Sequence, residues 1–170
     1  MQVNVCENTM KNKFNRIIST LNKAPARIRP FLLTKAFSSK VKFAGTTGIR
    51  IVSISQHEVI IQLANKKKVQ NHIGGIHAIA AAVIAESATG IVFGMNVPDS
   101  ALPLLKSMKM SYQRRMEGDI CAKALLNDEQ IASIQHDEKG SLLVPVEISD
   151  SSGQQPIQCE MEWAWVPKKK

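Results

Sequence analysis

Aromatic residues are scarce: one tyrosine, two tryptophans and five phenylalanines in 170 residues. A nucleic-acid surface that stacks bases between aromatics and binds the backbone with cations has too few parts here. Cysteine is equally sparse. Cys6, Cys121 and Cys159 are odd in number and far apart, which argues against a disulfide framework and against a CxxC metal or redox site. A reducing compartment, the cytoplasm, is the expected location. No apolar run reaches the ~20 residues needed to span a bilayer. Nor do the first thirty residues hold an apolar core with a small-residue cleavage site, so no secretory signal is expected.

Acid is missing from one end of the chain. Residues 1–42 contain nine lysines and arginines against the single acid Glu7, which alone accounts for the net charge of +8. The remainder is balanced, with thirteen basic and thirteen acidic residues. A basic, acid-poor start is compatible with a solvated helix face, a membrane-surface or phosphate-binding patch, or an organelle-targeting peptide. The basic patch therefore says nothing about the body of the protein.

What is abundant is aliphatic, and the chain length suits one buried core. Residues 9–22 and 25–37 show broken helical periodicity punctuated by Pro25 and Pro30, giving a basic N-terminal helical extension over 1–42 and a main domain over 43–167. β-Branched residues then predict strands over 48–55 and 58–64, joined as a hairpin at Gln56-His57. From Ile76 to Ala88 the sequence is alanine-rich and apolar on nearly every side, the mark of a helix enclosed by other structure. Alternation returns at Met108, Met110 and Tyr112 and again at Ile120, Ala122 and Ala124, with a turn at Gly118. Asn127 with Gln130 reads as a capping box for a short helix over 128–134. A last hairpin follows, with arms 142–149 and 157–166, and Pro145 marks an edge or a bulge in the first. The expected fold class is α+β: an antiparallel sheet of five to six strands wrapped around one long central helix.

Local rules break around that helix, and chemistry is expected where they do. Gly74 and Gly75 allow a tight backbone approach to its start, where first-turn N–H groups without helical partners stabilise an oxyanion or a polarised carbonyl. Further along, Glu86 places an ionisable group within an otherwise apolar helix, where an unpaired carboxylate costs several kcal/mol in effective terms.

The order Asn71-(x)5-His77-Ala78-(x)7-Glu86 resembles the pattern of hotdog-fold thioesterases of the 4-hydroxybenzoyl-CoA and phenylacetate-degradation type. Tyr112-Gln-Arg-Arg-Met-Glu-Gly-Asp-Ile-Cys-Ala-Lys-Ala124 is similar to the strand pair of that family. Phe43-Ala-Gly-Thr-Thr-Gly-Ile-Arg-Ile51, with the Asn-His-x-Gly entry, most resembles an uncharacterised branch known as a domain of unknown function, over about residues 30–166.

The resemblance implies acyl-CoA hydrolysis, with coenzyme A as part of the substrate and no separate cofactor. No metal is expected, because His72 and His77 are five apart in a glycine-bearing loop, not at the spacing of a zinc pair, and no cysteine lies near. It implies that Glu86 acts as nucleophile or general base, and that Asn71 and the Ala78 N–H polarise the thioester carbonyl. His77 would orient the helix entry, while Gly74, Gly75 and Ser87 would shape the site. Arg114 and Arg115, with Lys106 and Lys109, would either meet the coenzyme phosphates or stand as ordinary surface charges. Eight residues at 1.5 Å rise set Ala78 and Glu86 about 12 Å apart along one helix, too far to share one carbonyl. A working site therefore needs at least a dimer. The chain departs from the family pattern in having Ala78 and Ile79 after the histidine in place of paired glycines, and Gly90 where many relatives carry a hydroxyl. The competing reading is a non-catalytic hotdog module for acyl binding or assembly, in which Glu86 is a structural carboxylate.

Overall fold

The computed structural model describes residues 12–169. Cys6 and the first residues of the basic segment lie outside that range. Helices α1 (Lys13–Leu21), α2 (Arg29–Lys40) and α3 (Lys42–Thr47) lead into strands β1 (Arg50–Ile54) and β2 (Glu58–Leu63). The long helix α4 (Ala78–Gly94) precedes β3 (Ala101–Tyr112) and β4 (Ile120–Leu125). Helix α5 (Asp128–His136) and strands β5 (Gly140–Leu143), β6 (Val146–Asp150) and β7 (Ile157–Pro167) complete the chain.

The strands form one antiparallel sheet in the order β1-β2-β4-β6-β7-β3, with β5 also paired to β7. Its concave face holds α4. Val59 and Ile61 of β2, Ala122 and Ala124 of β4, and Met161, Trp163 and Trp165 of β7 alternate onto that face and are buried. Each large side chain so enclosed contributes roughly 1.5–3 kcal/mol. Twelve of the seventeen residues of α4 are buried, because the sheet curls around the helix.

Three departures from the sequence reading have physical causes. The central helix runs past Ala88 through Thr89 and Gly90, because the core receives this stretch on both sides: Trp163 Nε1 donates to Thr89 Oγ1 at 2.9 Å. The first arm of the last hairpin is two strands, bringing the total to seven. Val144 N–H still donates to Met161 of β7, but the Pro145 carbonyl accepts from Leu125 of β4. Proline has no N–H to continue the first ladder, and the chain changes partner there. The strands flanking Gly118 are not paired with each other, since β6 and β7 lie between β4 and β3. Gly118 itself has φ +65°, and Asn127 with Gln130 forms the expected capping box.

The two sheet edges differ. At β1 the Ile51 N–H donates to Thr34 Oγ1 of α2 at 2.9 Å, so a helix covers that edge. At β3 nothing covers the outer ladder among the described residues, and Leu102, Leu104, Leu105 and Met108 are each 37–48% exposed.

Helix α1 is fastened to the end of α4 by two buried asparagines. Asn12 Oδ1 caps α1 by accepting from the Asn15 N–H, while its Nδ2 donates to the carbonyls of Gly94 at 2.8 Å and Val97 at 2.6 Å. Asn15 Nδ2 reaches the Met95 carbonyl at 3.3 Å. Carbonyls orphaned at the C-terminus of one helix thus accept from the N-terminus of another.

Candidate active site

The entry to α4 is a closed loop. Residues Gln70 and Ile76 form an isolated antiparallel bridge, and the Asn71 N–H donates to the Gly75 carbonyl at 2.8 Å. Asn71 Oδ1 accepts from the N–H groups of Ile73 and Gly75, both at 3.1 Å, and Gly74 turns the chain at φ +78°. The Asn71 side chain therefore spends its oxygen on the loop. Its Nδ2 makes no hydrogen bond among the described residues and remains a donor.

His77 is the N-cap of α4. Its Nδ1 accepts from the Ile79 N–H at 3.1 Å, which requires the ring proton on Nε2 in the neutral form. The N–H of Ala78 has no acceptor among the described residues, so the first turn offers it outward. Beside it is a cleft of about 220 Å3 lined by Phe43 and Thr47 of α3 and by His77, Ile79 and Val83 of α4. Ile79 is 59% exposed. The alanine and isoleucine that replace paired glycines thus leave the helix start open.

Glu86 lies on the same helical face, one turn beyond Val83, and is half-buried. Burial pushes its carboxyl above the ordinary range, and the adjacent Ser87 hydroxyl offsets part of that rise. This hydroxyl is itself buried and has no partner that meets hydrogen-bond geometry. Nor does the Glu86 carboxylate take part in any ion pair among the described residues. A carboxyl raised by desolvation is less strongly hydrated when ionised, which suits a nucleophile or a general base.

The two arginines are engaged elsewhere in the chain. Arg114 donates to Glu117 Oε1 at 2.7 Å and lies 3.7 Å from the buried Asp150 carboxylate. Arg115 donates to the Ile73 carbonyl at 3.0 Å and so braces the Asn71 loop. Lys106 and Lys109 pair with Glu162 and Glu160 across the β3–β7 ladder. Burial pushes the Cys159 thiol up to about 11 and raises that of Cys121, the opposite of the lowering that activates a cysteine.

Two residues at the site escaped the sequence reading. Tyr112 appeared only as part of a strand motif, yet its hydroxyl donates to the Ala78 carbonyl at 2.8 Å and ties β3 to the first turn of α4. Phe43 lines the cleft while 66% exposed. Its position ahead of Ala-Gly-Thr-Thr was the only signal, and it carried no chemistry.

A seven-stranded antiparallel sheet wrapped on one buried helix is the hotdog fold. The chain belongs to the family described as a domain of unknown function, DUF4442, whose model matches residues 30–166. A Pseudomonas aeruginosa structure described as a protein of unknown function and probable thioesterase is 21% identical, with TM-score 0.72, and the alignment covers 82% of this chain and 97% of that one. A Staphylococcus aureus thioesterase variant is 18% identical, with TM-score 0.63, over 74% and 99% of the two chains. A Haemophilus influenzae thioesterase is 10% identical, with TM-score 0.60, over 74% and 82%. No protein of curated function matches the sequence.

Proposed function

We propose that this protein hydrolyses acyl thioesters, acyl-CoAs in particular, as a homodimer. Glu86 of one subunit acts as nucleophile or general base on a carbonyl held by Asn71 Nδ2 and the Ala78 N–H of the other. The observation that carries this reading is the pairing of opposites on one helix: unused donors at its start and a desolvated carboxylate two turns on. Their separation of about 12 Å prevents one subunit from closing the site alone. The bare β3 edge, with its row of half-exposed leucines, offers the surface for a second copy, and pairing two such edges would continue the sheet.

In this arrangement the donors meet the developing oxyanion, and Glu86 attacks the carbonyl carbon or removes a proton from the attacking water. The C–S bond breaks, and the thiolate takes up a proton and leaves as coenzyme A. Water supplies the oxygen of the released acid, either by direct attack under general-base catalysis or by hydrolysing the anhydride formed on Glu86. Release of free thiol from a panel of short, medium, long and aryl acyl-CoAs tests the reading. Wild type is expected to turn over at least one member, and Glu86→Ala to lower that rate by roughly a hundredfold or more. No turnover of any member by a folded dimer would instead support a non-catalytic acyl-binding module.

A further inference from the structure

The face of α4 that carries Glu86 continues to Gly90 and Gly94 at successive turns, and there it meets an apolar cavity. The cavity measures about 470 Å3, within the range of small-molecule sites. Gly90 and Gly94 form its floor. Its roof comes from the N-terminal helices: Phe14 and Ile17 of α1, and Ala36 and Phe37 of α2 with the following Val41. This explains why Ile17 and Val41 present apolar side chains to solvent at 56% and 37% exposure. The asparagines that bond α1 to the Gly94, Met95 and Val97 carbonyls hold this roof in place.

We infer that this cavity receives the alkyl tail of the acyl group, so that the N-terminal helices, and not the sheet, set acyl-chain length. The inference rests on the hydrolase reading for the position of the acyl carbon near Glu86. Three observations favour an acyl tail as occupant. The walls are predominantly carbon, so an apolar ligand is desolvated there without leaving polar groups unpaired. The floor lacks a side chain at Gly94, where a Cβ would meet only Phe14, at 3.8 Å, so the cavity keeps its depth at that end of the helix. The eight residues from Glu86 to Gly94 span about 12 Å. At roughly 1.3 Å per carbon along an extended zigzag, projected from C–C bonds of about 1.5 Å, that length fits a chain of about nine to ten carbons.

The test uses the full chain and thioether analogues that cannot be hydrolysed, S-ethyl-CoA and S-decyl-CoA, with binding followed by calorimetry. The decyl analogue is expected to bind at least about thirtyfold tighter than the ethyl one, since each buried methylene adds up to about fourfold. Gly94→Leu should remove that gain while leaving S-ethyl-CoA affinity within about twofold, because a Cβ at Gly94 meets only Phe14, at 3.8 Å. Ala36→Leu, from the opposite wall, should do the same and guards against a local effect on α4. Equal affinity for the two analogues in wild type overturns the inference, as does a gain that survives both substitutions. Chain-dependent binding with no acyl-CoA turnover would sink the hydrolase reading alone. Turnover with no dependence on chain length would sink the tail site alone.

Discussion

The indole of Trp163 fills the space that a side chain on Gly90 would occupy: a Cβ built there would stand 2.8 Å from Cη2 and 2.9 Å from Cζ2 of the ring. Trp163 is held in that position by its hydrogen bond to Thr89, so the ring has no easy retreat. The missing hydroxyl at position 90 is thus a packing solution. Gly90→Ala is expected to destabilise the fold by about 1–3 kcal/mol through overpacking, even though alanine is the better helix former. Urea denaturation measures this, and a stabilised variant would show that the ring moves aside.

Glu86 gives a pH dependence with a defined sign. Burial raises its folded pKa above 4.5, so between the two values the native state holds a proton that the unfolded state has lost. This group's contribution to stability therefore falls as pH rises through that window and returns on acidification. Glu86→Gln should accordingly be at least as stable as wild type at neutral pH, while losing turnover. The acidic limb of wild-type kcat/KM should have its midpoint above 4.5, and a limb at or below that value would mean the carboxylate is not the titrating group.

The bare β3 edge makes a separate prediction. Leu104→Glu combined with Met108→Glu places charges on the exposed ladder without entering the enclosed core. The double variant should run as a folded monomer by light scattering and lose acyl-CoA turnover with its partner. A dimer that survives these charges would place the interface elsewhere.

Asn71 separates loop building from catalysis. Aspartate keeps the oxygen that accepts from Ile73 and Gly75 but removes the Nδ2 donor. Asn71→Asp should retain the melting temperature within a few degrees and lower kcat by roughly a hundredfold to a thousandfold, the range for losing one oxyanion donor. An unchanged kcat would assign Asn71 to the loop alone.

Much of this arrangement was legible in the chain because it is written in local signals. The alanine-rich run predicted the enclosed helix, alternation predicted the strands, and Asn127 with Gln130 predicted the cap of α5. Glu86 stood out because it breaks an apolar pattern. The strand order was not legible: that β6 and β7 separate β4 from β3 depends on pairings between distant segments. Asn12 and Asn15 gave no signal, since a polar residue becomes a helix-to-helix clamp only when the end of another helix arrives beside it. Tyr112 and Gly90 were visible as motif positions, but their partners, Ala78 and Trp163, lie 34 and 73 positions away.

The central claim, that each site joins Glu86 of one subunit to the helix start of the other, is tested most directly by mixing two inactive variants. Glu86→Gln and Asn71→Asp, each purified and folded, are unfolded together, refolded and assayed for thiol release. Half of the dimers formed at random are mixed, and each mixed dimer holds one intact site, so the account predicts recovery of roughly a quarter of the wild-type rate. Activity no higher than that of the separate variants, with mixed dimers demonstrated by mass, would contradict it.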